Sequence, residues 1–257
     1  MSQEKRSKRQ ERRQRMQQRE RRNRLITIGI ITIVAAFLVF AVVWPQIRPI
    51  ADIVAVDPNP RPNAERNMAG VADAPIKIEE FADFQCPFCE RFFEQTEPLL
   101  MEHYVQTGKV QFVYRSMGNW VSRNVGGSRT ESQDSAAAAY CAADQGKFWE
   151  MHDALFANVL GEDVGSFTDR RLAAIAEKIG LDMTEFNDCY NSGKYADQVQ
   201  QDLEDCTAAG ITGTPGFLIT YTVNGETKTQ TISGAESFST FQVKLEEILN
   251  EIAAASS

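Results

Sequence analysis

The chain reads as an α/β domain, a small sheet interrupted by a helical block, carried behind one membrane-crossing helix. Three observations predict this. An apolar run over residues 25–43 separates a strongly basic tail from a strongly acidic remainder. Beyond it, segments that alternate with a period of two are interleaved with segments of period three to four. Two cysteines, Cys86 and Cys89, stand immediately after the first alternating segment.

The first 24 residues hold eleven Lys or Arg against three acids, a net charge of +8, and the remaining residues carry 16 basic against 32 acidic groups. Residues 25–43 have no charge and only Thr27 and Thr32 as polar side chains, with Trp44 at the expected interface. A bilayer core of roughly 30 Å needs about 20 apolar residues, so 25–44 is long enough to cross it. Basic flanks stay cytoplasmic, which places residues 1–24 inside and the rest of the chain outside. A cleaved signal peptide is the competing reading. Its apolar region is shorter, roughly 7 to 15 residues, and ends in small residues, so an uncleaved single-pass anchor is expected. The basic tail could also meet nucleic acid, but it abuts the span as a topology signal does, and the acidic remainder argues against polyanion partners.

Five of the nine prolines fall within residues 45–70, which predicts an extended linker before a domain over 71–257. In that domain 76–84 alternates as a strand, placing Ile76, Ile78 and Glu80 on one face. Pro87 suits the first turn of a helix. Phe88, Phe92, Phe93, Leu99 and Leu100 give that helix an apolar side, Pro98 interrupts it and Gly108 ends it. A second strand follows over 109–114, with Val110, Phe112 and Tyr114 on one face. From about 116 to 212 the pattern is largely helical: an alanine-rich helix over 136–143, another carrying Leu172, Ile175, Ala176 and Ile179, and a stripe of Val199, Leu203 and Cys206. Strands over 217–223 and 227–232 flank Asn224-Gly225, a strong hairpin signal. Phe238, Phe241, Leu245, Ile248 and Ile252 mark a closing amphipathic helix.

Cys86 and Cys89 admit three chemistries. A zinc site needs further ligands at close spacing; no second such pair exists, and His103 and His152 stand alone. A structural disulfide across two residues closes a very short loop and gains little chain entropy. A redox pair accounts for more of the surroundings. A cysteine at a helix start meets unpaired N–H groups and the positive end of the helix dipole, both of which stabilise a thiolate. Cys86 is then the nucleophile and Cys89, one turn on, its resolving partner.

The stretches FADFQCPFC, AAAYCAADQGKFWEMHDALF and GITGTPGF, spread over most of residues 74–252, resemble the DsbA-like thiol:disulfide oxidoreductases. The resemblance implies a thioredoxin fold with an inserted helical subdomain. It implies a cis bond between Thr214 and Pro215 beside the cysteines, where the backbone binds an extended substrate; an ordinary turn proline between Gly213 and Gly216 is the plainer alternative. It makes Glu80 the buried acid that takes the proton of Cys89, against a second reading in which a lysine under the helix pairs with it. It also implies a second bridge, best matched by Cys141 with Cys189; Cys189 with Cys206 is the local alternative, and Cys206 also fits a buried apolar thiol.

The expected reaction is disulfide exchange with exported proteins. A substrate thiolate attacks the exposed Cys86 sulfur of a Cys86–Cys89 disulfide, and a second substrate thiol resolves the mixed disulfide. The resemblance implies a quinone-linked membrane partner for reoxidation and no organic cofactor. Two departures bear on direction: Phe88 stands where the best-studied oxidants have histidine, and Thr214 stands where they have valine. A reductase or isomerase, or a non-catalytic peptide-binding chaperone using a groove around Trp120 and Pro215, are the alternatives to an oxidase.

Overall fold

The computed structural model of the protein describes residues 2–47 and 49–255. Basic residues from Lys5 to Arg12, and Pro45, lie outside the described side chains. The chain divides into two units, Met1–Ile50 and Ala51–Ser257. The first is one helix, α1 (Ser2–Ile47). Its stretch Arg15–Trp44 is long and apolar enough to cross a membrane, and none of it is buried.

In the second unit the sheet has five strands: β1 (Met68–Ala69), β2 (Ile76–Ala82), β3 (Val110–Ser116), β4 (Gly216–Val223) and β5 (Glu226–Ser233). Their order is β1-β3-β2-β4-β5. Only β2 and β3 run parallel, and the other pairs are antiparallel. The β2–β3 crossover is helical: α2 (Pro87–Gln95), α3 (Glu97–Leu100) and a π-helical turn over Met101–Val105. The break at Thr96 precedes Pro98, whose ring and missing N–H are incompatible with an unbroken helix through the preceding turn. Between β3 and β4 lie α4 (Trp120–Asn124), α5 (Glu131–Ala143), α6 (Phe148–Ala157), α7 (Asp169–Lys178), α8 (Met183–Asn191) and α9 (Ala196–Ala208). The turn between β4 and β5 is Asn224-Gly225, both at positive φ, and α10 (Phe238–Ala255) closes the fold.

Alternation along β2 sorts two cores. Ile76, Ile78 and Glu80 lie on one face, where Phe92 meets Phe217 at 4.6 Å and Phe217 meets Phe241 at 4.9 Å between ring centroids. Phe81, next after Glu80 and so on the opposite face, belongs instead to a smaller cluster with Met117, Cys206 and Ile211. Fully burying a phenylalanine is worth roughly 1.5–3 kcal/mol, so these aromatic contacts hold the sheet and its helices together.

Two expectations need correction. The segment expected as a linker is, from Ala51, part of the second unit. Ala51 accepts a bond from Arg171, Val54 exchanges two with the Asn158 side chain, Asn59 donates to Asp153, and β1 pairs with β3. Its prolines stiffen a strap laid on the domain, because polar side chains of the helical block satisfy its backbone. Phe88, assigned to the apolar side of its helix, is 54% exposed. It stands at the second helical position, and the Arg91 guanidinium lies 5.1 Å from the centre of its ring.

Candidate active site

The cysteine pair stands where β2 passes into α2. Cys86 is the residue capping α2, in extended conformation, and Pro87 opens the helix. Its backbone N–H donates to Asp83 O at 3.0 Å and its carbonyl accepts from Glu90 N at 3.0 Å. Two buried side chains tie this loop to the helical block. The Asp83 carboxylate accepts from the backbone N–H of Gln85 and of Val121 in α4, each at 2.9 Å. The Gln85 amide donates to Ser122 and Ser132 at 2.9 and 2.8 Å and accepts from Asp163 N at 2.6 Å. Burial lifts the Asp83 carboxyl to about 6 despite those two backbone bonds.

Opposite the pair, the Thr214–Pro215 peptide bond is cis. The Thr214 carbonyl accepts a long bond from the Cys86 thiol at 3.5 Å. Gly216 follows because a side chain there has no room: a Cβ would lie 2.2 Å from Ile211 Cγ2. Cys86 is 5% exposed and Cys89 0%. The first sulfur, expected to be exposed, is therefore nearly covered.

The two thiols, both free, are driven apart electrostatically. A hydrogen bond from Cys89 lowers the Cys86 thiol to about 7; burial opposes it, and the Thr214 side chain and the first backbone N–H groups of α2 reinforce it. Burial raises Cys89 well above the ordinary thiol range, helped by its bond to Cys86 and by the charges of Cys86 and Glu80. One sulfur is prepared to be a thiolate at neutral pH and the other to keep its proton.

Glu80 lies on β2 between Tyr114 and Phe217 of the adjacent strands and is 2% exposed. Burial first, then repulsion from Glu97, raises its carboxyl well above the usual range; Arg61 pulls the other way. The cation that bears on it is thus Arg61 of the strap, where a lysine under the helix was the alternative expectation. Cys141 of α5 and Cys189 of α8 are joined by a disulfide. Cys206 is a free, fully buried thiol beside Met117, and burial pushes it up to about 12. His152, given no role from the sequence, is fully buried among Phe84, Phe93, Tyr114, Trp149 and Phe156 and meets Asp153 at 2.8 Å.

Sequence reasoning passed over Arg61, Asp83, Gln85 and Glu97. Asp83 and Gln85 lay inside the quoted cysteine motif, where polar residues in an aromatic run were the available signal. Arg61, flanked by Pro60 and Pro62, looked like any cation in a polar segment.

The Thioredoxin family model matches residues 63–237 of the chain. Among relatives, a Na(+)/H(+) antiporter NhaA 3 of Salinispora tropica is 32% identical over 65% of this chain, which spans only 22% of that protein. A probable disulfide bond formation protein D of Bacillus cereus is 32% identical over 35% of this chain and 38% of its own length. Among solved structures, alpha-DsbA1 of Wolbachia pipientis superposes with a TM-score of 0.62 at 22% identity, covering 77% of this chain and 96% of that one, a likeness of fold. The family model covers more than half of the chain, and the chain belongs to the thioredoxin family.

Proposed function

We propose that this protein exchanges disulfides with exported proteins through Cys86 and Cys89, from a domain held outside the cell membrane by α1. The observation that carries the reading is the opposed pair of thiols beside a cis proline. Cys86, near pH 7, is about half ionised at neutrality, while Cys89 retains its proton. A substrate thiolate attacks Cys86 Sγ of the oxidised pair, the Cys86–Cys89 bond breaks, and Cys89 leaves with the electron pair and takes a proton from Glu80. A second substrate thiolate then attacks its own sulfur in the mixed disulfide and releases Cys86 as a thiolate. The substrate is oxidised and the pair reduced, and a quinone-linked membrane partner would restore the disulfide. The extended backbone at Thr214 and Pro215 would hold the substrate strand during both steps. The basic residues 5–24, ahead of the apolar run in α1, support a cytoplasmic N-terminus.

A reductase or isomerase is the second reading, and two observations favour it: Thr214 precedes the cis proline, and the Cys86 thiol is only moderately acidic. A thiol near 7 stabilises the reduced form less than a thiol near 3.5 does, so the oxidised pair is a weaker oxidant. A chaperone without chemistry leaves the opposed thiols without a use. Ion transport is not proposed, because the chain spans about a fifth of the antiporter it matches.

Equilibrating the full chain with glutathione buffers tests the reading. A reduction potential near about −120 mV supports oxidase direction and one near about −270 mV the reductase. A pair that forms no disulfide across the whole range overturns exchange altogether.

A further inference from the structure

The Arg61 side chain is only 2% exposed, although it comes from the segment before β1. Its Nη2 meets Glu97 Oε1 of α3 at 2.8 Å and Asp153 Oδ1 of α6 at 3.1 Å. Its guanidinium lies 4.7 Å from the centre of the Trp149 ring. Arg61 Nε and Nη1 and His152 Nε2 are buried without a hydrogen-bond partner among the described residues. Glu80 feels the charges of both Arg61 and Glu97, and Arg61 pairs directly with Glu97 and Asp153. The titratable groups facing it are Glu80 and Tyr114 on the sheet, Cys86 and Cys89 on α2, Glu97 on α3, and His152 with Asp153 on α6.

We infer that Arg61 is a positioning residue for Glu80: by pairing with Glu97 and Asp153 it lets the buried acid ionise, and so lets it accept the proton of Cys89. The inference rests on the exchange chemistry proposed above. When Cys89 resolves a mixed disulfide, the Cys89 Sγ–Cys86 Sγ bond forms and the bond from Cys86 Sγ to the substrate sulfur breaks. The substrate sulfur leaves with the electron pair, and the Cys89 proton passes to Glu80 Oε. Were the arginine absent, Glu97 would bear on Glu80 uncompensated, and Glu80 would hold its own proton to higher pH. The base would then be occupied when Cys89 needs it.

The test uses the full chain in detergent, with the mixed disulfide between Cys86 and glutathione formed by mixing the oxidised protein with glutathione. Release of glutathione by Cys89 is followed by acid quench between pH 5 and 9. For wild type, release accelerates as Glu80 ionises. Arg61→Met is expected to move that limb upward by about one pH unit, slowing release about fivefold at the wild-type midpoint and about tenfold well below it. Arg61→Lys is expected to restore the wild-type limb, and Glu97→Gln in the Arg61→Met background to shift it back. A merely structural role would lower the melting temperature of Arg61→Met and leave the limb in place, which overturns the inference; so does a lysine variant that behaves like methionine. If Arg61→Met does not fold, a Glu97→Gln single variant takes its place: a limb moved to lower pH supports the inference and an unmoved one overturns it. A wild-type protein that forms no mixed disulfide sinks the exchange chemistry instead, so the two failures are distinguishable.

Discussion

Cys86 and Cys89 are three positions apart with free sulfurs, whereas Cys141 and Cys189 are 48 positions apart and bonded. The second pair joins two helices of the inserted block, and closing that loop removes about 4 kcal/mol of unfolded-chain entropy. Closing the shorter loop removes only about 1.5 kcal/mol. Around the first pair, by contrast, stand a helix start, a cis peptide bond, a buried acid and an arginine. The same residue type thus forms a staple in one pair and, on the function proposed above, reactive groups in the other. Separation along the chain sets how much a bridge stabilises; the surrounding charges and amides decide whether it turns over.

The sharpest way to break this comparison is to exchange the losses. Cys86→Ser is expected to abolish disulfide exchange with a thiol peptide while leaving the melting temperature nearly unchanged. Cys141→Ser with Cys189→Ser is expected to lower stability by about 4 kcal/mol in urea unfolding and to leave exchange at the wild-type rate. If the double variant lost exchange with its fold intact, the bridge would be part of the reactive site. A finer test is alkylation of Cys86 by iodoacetamide against pH in the reduced chain. The thiolate forms as pH rises, so the rate should climb with a midpoint near 7, well below that of an ordinary thiol.

The smallest effect concerns the anchor of the reactive loop. Asp83 has a carboxyl raised to about 6 in the folded protein. Between its unfolded value near 4 and 6, the folded state binds more protons than the unfolded one, so this group's contribution to stability declines as pH rises through that window. The decline is of order 2–3 kcal/mol, and Asp83→Asn should flatten it in melts at pH 4, 5 and 6.

Local signals in the sequence carried much of this. Asn224-Gly225 announced the hairpin, Pro87 after Cys86 announced the helix start, and the alternation of Ile76, Ile78 and Glu80 placed an acid on the core face. Each involves neighbours within a turn or a strand. Arg61 was illegible because its partners, Glu97 and Asp153, lie 36 and 92 positions away, and nothing in a proline-rich stretch marks a cation destined for the interior. Phe88 was misread because spacing from Phe92 gives a face but not how far along the helix the core reaches, and Phe92 is buried while Phe88 is exposed.

The two borders of the sheet also have a meaning for a protein proposed to grip extended chains. One border, β1, offers only two residues, and the other, β5, exposes Glu226 and a run of threonines, with Ile232 its sole buried side chain. Lys228 of that strand is held by Glu251 at 2.5 Å. Short or hydrophilic margins give a non-native client little on which to nucleate an added strand. Visitors are thereby discouraged from zipping onto the scaffold.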